Sequence, residues 1–225
     1  MQFRLGVVPE TTRPIWARPD RGTRGPQPEH SRAELAAAAM RLADAGGLEA
    51  ATMRAVAGEL GTAAASLYRY LSSRDDLLDL MVDAALGELD LTDPPSGDWL
   101  EGLVALAHQQ LALYRRHPWL LQAAMRRGAY GPRAMDYFEH CLRTMAPLSC
   151  GTAAKLEAVG VLTGLVSLFA AQPAAAPADP SAFFAAATEQ AHPHLLAALS
   201  TPGDPPEPDL FDRLIRSVLR GLLAP

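Results

Sequence analysis

Apolar side chains recur at helical spacing along most of the chain, and short polar signals start and stop each run. Leu35, Ala38, Ala39 and Leu42 form a narrow stripe of the kind one helix face buries. Ser31 with Glu34 three residues on opens that helix as a capping box, and Gly46-Gly47 closes it because glycine enters the left-handed region cheaply. Thr52 opens a second helix over Met53–Glu59, which Gly61 ends, and a third short helix is expected over 63–71. Ser73 with Asp76 starts a fourth, running through Leu78, Met81, Val82, Ala85 and Leu89. Asp98 and Glu101 make another N-cap pair for a fifth helix reaching His117, where Pro118 interrupts it. Further helices are expected over 119–128, 133–146, 152–172, 181–199 and 208–223.

Between and before these runs lie breaks. Residues 1–30 are rich in Arg, Pro and Gly and read as an arm without regular structure, with Ile15 and Trp16 as its possible anchors. Asp93-Pro94-Pro95-Ser96-Gly97 reads as a seam between domains, and Pro-rich stretches at 173–180 and 202–208 separate the last three helices. No internal repeat is evident.

Composition supports the helical pattern. Of 225 residues, 49% are hydrophobic and 20% charged, enough to bury a core. Alanine and leucine dominate and long β-branched runs are absent, which favours an all-α fold over sheet. The net charge of −5 is unevenly spread. Residues 1–74 carry ten Arg against seven acids, or +3, and residues 75–225 carry ten Arg or Lys against eighteen acids, or −8. That split suits a nucleic-acid reader attached to a domain that stays off the phosphates. Cys141 and Cys150 match no metal or redox spacing, so the expectation is a reduced, cytoplasmic chain without metal or cofactor. No secretory signal is evident, and the longest apolar stretch, 159–171, is short for a bilayer, so no membrane partner is expected.

The segment from Thr52 to Tyr70 carries most of the functional argument. Two short helices joined by a tight turn need a small residue where they cross, and Ala57 supplies it. They need a residue that tolerates positive φ, and Gly61 follows four positions later. They also need an apolar residue pointing back to the hub, and Leu67 fits, with Val56 and Leu60 as partners. The outer face of the third helix, Ala63, Ala64, Ala65 and Ser66, is small enough to enter a major groove deeply, with the helix N-terminus favouring nearby phosphate. Thr52, Ser66, Tyr68, Arg69 and Arg74 suit phosphate hydrogen bonds, and Arg54 could reach a guanine edge.

These residues resemble the DNA-binding domain of TetR-family (tetracycline repressor) regulators. The resemblance is carried by Leu42-Ala43-Asp44-Ala45-Gly46-Gly47-Leu48, Met53-Arg54-Ala55-Val56-Ala57, Leu60-Gly61, Ser66-Leu67-Tyr68-Arg69-Tyr70 and Arg74-Asp75-Asp76-Leu77-Leu78. Asp98-Trp99 and His117-Pro118-Trp119 look like the C-terminal domain of the subgroup nearest the tetracycline repressor itself. The resemblance implies a three-helix helix-turn-helix domain over 31–76 and a larger helical-bundle domain over 77–225 that binds a ligand and dimerises. It implies a repressor that holds a near-palindromic double-stranded DNA operator as a homodimer and is released by a small-molecule effector. By position, Tyr68 and Arg74 would bind phosphate, Thr52 would lie near the backbone, and Arg54, Ala64, Ala65 and Ser66 would face base edges. Three positions depart from the family pattern: Arg74 where lysine is usual, Thr62 where an aliphatic residue is common, and Leu71 where an aromatic or valine is frequent.

For the second domain, Gly160 and Gly164 form a small-xxx-small pair, Leu168 lies one turn on, and Leu210, Leu214 and Val218 repeat at four-residue intervals; these six are the expected dimer interface. Ligand candidates are His108, Tyr114, Trp119, Met125, Tyr137, Phe138 and His140, which set polar tips among apolar surface. An enzyme is the weaker reading. His192 and His194 with Glu189 suggest a metal site, but Pro193 breaks helical geometry there, and no nucleophile elbow or phosphate loop is present. A helical interaction module without DNA contact is the other alternative.

Overall fold

A computed structural model of the chain describes residues 14–18, 29–92, 98–127, 131–172, 184–200 and 209–223. The described residues form α1 (Arg32–Gly46), α2 (Met53–Glu59), α3 (Ala64–Leu67), α4 (Arg74–Leu86), α5 (Trp99–Arg116), α6 (Pro118–Arg127), α7 (Pro132–Thr144), α8 (Thr152–Ala171), α9 (Pro193–Ser200) and α10 (Leu210–Leu223), with no strand among them. The interdomain seam at 93–97 and the Pro-rich stretches at 173–180 and 202–208 lie outside the described residues.

The helix starts follow local chemistry. At α1 the Ser31 side chain accepts from the Glu34 backbone N–H, while Glu34 reaches back to the Ser31 N–H, closing the capping box. Those Ser31 bonds also hold the Glu34 carboxyl below its ordinary pKa range. Thr52 caps α2 through the Ala55 N–H, and Ser73 caps α4 through the Asp76 N–H. Asp98 caps α5 through the Leu100 N–H. Its expected partner Glu101 turns instead to Arg216 on α10, with Arg216 Nη2 donating to Glu101 Oε2 at 2.9 Å.

Two glycines sit where no other residue fits easily. Gly61 has φ +69° and lets the chain reverse between α2 and α3, and the Thr62 N–H then donates to the Ala57 carbonyl at 2.9 Å. At Gly131 a Cβ would fall 2.1 Å from Asp83 Oδ1. That close approach lets Asp83 accept the Arg133 N–H at 2.8 Å and cap α7 from α4.

Helices α1, α2 and α3 close around buried Leu35, Ala38, Ala39, Val56, Ala57 and Leu67. α4 then packs against α1 on one side and against α6 and α7 on the other. α5 lies at the centre of the second unit, touching α6, α7, α8 and α10.

The structure departs from the sequence reading in four places. The stretch 1–30 is not wholly irregular, because Ile15–Ala17 forms a short 3-10 turn with Ile15 fully buried. Arg18 holds that strap down, donating to Asp76 Oδ2 at 2.7 Å and Ser72 Oγ at 2.9 Å, while Arg32 donates to the Ile15 carbonyl at 3.0 Å. The third helix is confined to Ala64–Leu67 and finishes in turns. The helix expected over 181–199 is not continuous: among the described residues, 185–192 are turns and irregular backbone and a helix runs over Pro193–Ser200, where proline, with no N–H to donate, is at ease as the first residue. α8 is 20 residues long with mean hydropathy 1.6 and is only 22% buried, so it is long and apolar enough to cross a membrane, contrary to the shorter span read from sequence.

The turn at Gly61 yields a paired prediction. Gly61→Ala should lower stability by about 1 kcal/mol through left-handed strain. Gly58→Ala, inside α2 with open space around its Cβ direction, should raise it by about 0.5–1 kcal/mol. Urea unfolding of both variants checks the signs.

Candidate nucleic-acid interface and ligand cavity

The α2–turn–α3 unit presents its small face outward. Ala63 and Ala65 are exposed and Ala64 is half-buried, while Leu67 on the opposite side is fully buried. Thr52, Arg54 and Arg69 are exposed, and Tyr68 is 59% exposed. An aromatic hydroxyl so far out of the core is available to a partner. Arg69 stacks 6.0 Å from the Tyr70 ring centroid and donates weakly to the Ser66 carbonyl at 3.4 Å.

Two expected contact residues are engaged internally. The Ser66 hydroxyl donates to the Ala63 carbonyl at 2.7 Å and shares a 2.8 Å bond with Thr62. Thr62 thus spends its hydroxyl on the first turn of α3. Arg74 donates to the Leu48 carbonyl at 3.3 Å and to Glu49 at 3.0 Å. Arg74 also pulls the Glu49 carboxyl below its usual range. Arg126 on α6 reaches the other Glu49 oxygen at 3.5 Å, so this acid touches both the head and the second unit.

A stronger junction lies between α1, α4 and the α5–α6 break. His117 is buried, and both its ring nitrogens lie within hydrogen-bond distance of carboxylates: Nδ1 is 2.7 Å from Asp44 and Nε2 is 3.1 Å from Glu88. The same Asp44 oxygen accepts the Trp119 indole N–H at 2.6 Å. One acid at the end of α1 therefore binds two side chains of the second unit. Sequence reasoning used His117 as a helix stop and as part of the His117-Pro118-Trp119 resemblance, and did not foresee its carboxylate partners.

A cavity of about 260 Å³ opens between α4, α5, α6, α7 and α8. Leu86, Leu121, Ala124, Ala134 and Phe138 give it apolar walls. Met125, 81% exposed, stands at its rim. Gln110, Tyr114, Tyr137, Thr163 and Ser167 add polar tips. The Tyr137 hydroxyl donates to Gln110 Oε1 at 3.3 Å and lies 3.3 Å from Thr163 Oγ1, and Ser167 donates to the Thr163 carbonyl at 2.8 Å. Burial pushes both the Tyr114 and Tyr137 phenols above their ordinary value. Burial likewise pushes the neighbouring Cys141 thiol up to about 12, which keeps it protonated and unreactive.

Of the ligand candidates read from sequence, Tyr114, Met125, Tyr137 and Phe138 meet at this cavity. Three lie elsewhere. His108 is exposed on α5 and pairs with Asp212 of α10. Trp119 is spent on Asp44. His140 faces the Leu91 carbonyl at 3.1 Å in a separate groove of about 400 Å³. The reason is rotational: a helix shows the cavity only one face, and residue type does not reveal which. Gln110, Thr163 and Ser167 were missed, though a lone amide in an apolar helix and a Thr/Ser pair four apart were visible.

On α8 and α10, Gly160, Gly164, Leu168 and Leu210 are exposed, and Leu214 and Val218 are half-buried. The cores of these helices, Ala158, Val159, Leu162, Val166, Ile215 and Leu219, point inward. Among the described residues, no group of three His, Cys, Asp or Glu is placed to hold a metal; His192 and His194 are exposed at the start of α9.

Comparison with known proteins completes the picture. Residues 35–81 match the model for bacterial regulatory proteins of the tetR family, and residues 91–224 match the tetracyclin repressor-like C-terminal domain. The chain is 41% identical over 165 residues to the HTH-type transcriptional repressor DrrR1 of Streptomyces coeruleorubidus, covering 72% of this chain and 60% of that protein. It is 30% identical over 152 residues to an HTH-type transcriptional regulator of Saccharopolyspora erythraea, covering 68% of this chain and 64% of that one. The match thus spans less than two thirds of these curated relatives' own lengths. Among solved structures, apo ActR of Streptomyces coelicolor superposes with TM-score 0.72 at 25% identity, covering 88% of this chain and 97% of ActR.

The His117 junction gives a direct test. His117→Ala strands Asp44 and Glu88, which are 35% and 31% exposed, so the loss should be about 2 kcal/mol, below that of a fully buried pair. A loss under about 0.5 kcal/mol in urea unfolding would show that solvent replaces the imidazole freely.

Proposed function

This chain belongs to the TetR family of bacterial regulatory proteins, and on that premise we propose that it is a ligand-responsive transcriptional repressor acting as a homodimer on a near-palindromic operator. The observation that carries the proposal is the continuity of α4. This helix leaves the α2–turn–α3 head at Ser73–Arg74 and ends at Leu86 in the wall of the cavity. A head that could read DNA and a site that could hold a ligand therefore share one rigid rod.

In this reading Arg54, Ala64 and Ala65 face base edges. Thr52, Tyr68, Arg69 and Arg74 contact phosphate, and Ser66 contributes mainly by shaping α3. Arg74 must exchange Glu49 for phosphate, a trade of one anion for another. We assign the head to 31–76 and the regulatory unit to 77–225, with α4 common to both. The cavity takes the effector. Binding that favours a different tilt of α4 alters the distance between the two heads of a dimer, and the ligand's differential affinity for the two tilts sets the induction. A coupling of about 1–3 kcal/mol would suffice for release. ActR, a structural relative, is described in complex with actinorhodin, which supports a small organic effector here. The compartment we assign is the cytoplasm, where the operator is, and we assign no catalytic activity and no cofactor.

The exposed side of α8 belongs to the dimer. Gly160 and Gly164 have open space around their Cβ directions, which permits close helix approach, and Leu168 is 58% exposed one turn away. Leu210 and Leu222 continue the apolar surface on α10. The inner side of α8 is already packed on α5 and α10, so a second copy covers the remaining strip better than lipid would.

DNA binding should be steeply salt-dependent. Arg69→Ala and Arg74→Ala should each reduce the slope of log affinity against log salt by about one. Arg54→Ala should cost more on the operator than on bulk DNA. Unchanged slopes in fluorescence anisotropy would point to a helical module that does not bind DNA.

Leu168→Glu together with Leu210→Glu should convert the dimer to monomer in sedimentation velocity without unfolding the head. A dimer that survives both charges places the interface elsewhere.

A further inference from the structure

The effector cavity differs sharply from a second opening, beside α7. The groove of about 400 Å³ beside α7 is lined by Asp90, Arg133, Asp136, Glu139 and Arg143. The cavity of about 260 Å³ has no Asp, Glu, His, Lys or Arg among the described residues that line it. An ion brought into such a site would lose its hydration without gaining a counter-ion.

Its polarity is confined and neutral. Gln110, Tyr137 and Thr163 are linked through the Tyr137 hydroxyl, and Tyr114 and Ser167 line the same wall. These groups come from α5, α7 and α8, whereas Leu86, Leu121 and Ala124 of α4 and α6 offer only carbon. Hydroxyls both donate and accept, so the linked set can pair with carbonyl or hydroxyl oxygens. Tyr114, Tyr137 and Phe138 supply aromatic surface, with the last two rings packed edge to face at 6.0 Å, a geometry that suits a ring compound.

We propose that this cavity is built for an uncharged, mainly apolar ring compound that carries carbonyl or hydroxyl oxygens along one edge. The oxygens face Gln110, Tyr137 and Thr163, and the rings lie against Leu86, Leu121 and Phe138. The proposal rests on the reading of this cavity as the effector site.

The test is calorimetric titration of the full chain with three probes on one tricyclic frame: 1-hydroxyxanthone, its charged relative xanthone-2-carboxylate, and xanthene, which lacks both the carbonyl and the hydroxyl. 1-Hydroxyxanthone should bind, the carboxylate should bind on the order of 100-fold more weakly, and xanthene about tenfold more weakly. Tyr137→Phe should weaken 1-hydroxyxanthone about tenfold while leaving xanthene unchanged. No binding of 1-hydroxyxanthone, or a carboxylate that binds as well, overturns the uncharged class; xanthene binding as well overturns the polar edge. Thr163→Phe fills the cavity and should abolish binding, and Ala124→Phe on the half-buried wall repeats the block where Thr163→Phe does not fold. Probe binding that survives the block leaves the ligand class standing but overturns this cavity as its site.

Discussion

Helix α4 is packed on both sides, and that constraint organises the molecule. Its thirteen residues, Arg74–Leu86, lie against α1 on one flank and α6 and α7 on the other. Leu77, Met81 and Ala85 are fully buried as a result. Each polar residue on it that is drawn inward serves a neighbour. Asp76, nearly buried, accepts the Ser72 N–H and the Arg18 guanidinium, which fixes the start of the helix and the strap at 14–18 together. Asp83 caps α7, and burial raises its carboxyl pKa despite that N–H. A rod tied at both ends moves as a unit, because a packed interior does not deform by small continuous amounts.

The junction at His117 complements this rod. α4 joins head and regulatory unit covalently, and His117 joins them by hydrogen bonds at a second point, through Asp44 of α1 and Glu88 just beyond α4. Glu49 adds a weaker third link, between Arg74 and Arg126. Its side chain is mostly exposed, so solvent screens it, whereas the imidazole is shielded. Two ties of different strength on either side of the head suit an element that must hold one orientation yet release it.

Local signals in the chain were reliable wherever a side chain acts on its own backbone. Ser31, Thr52, Ser73 and Asp98 were legible as caps, and Gly61 as the turn, because each choice depends on residues no more than a few positions away. The reading failed where distance in sequence mattered. Glu101 looked like a cap partner but answers to Arg216, 115 residues on. Ile15, read from the sequence as an anchor of an otherwise irregular arm, is fully buried, and what the sequence did not show is that Arg32 of α1 donates to its carbonyl.

By itself the sequence determined the helical class, the helix-turn-helix head and most helices of the second unit, though not the one expected over 181–199, because periodicity and capping are properties of short segments. Only the tertiary structure decided which residues share the cavity, that His117 and Trp119 both serve Asp44, and that Arg74 is held by Glu49. Those facts depend on how each helix is rotated about its axis. Rotation is set by the sum of packing against several partners, and no single segment contains that sum.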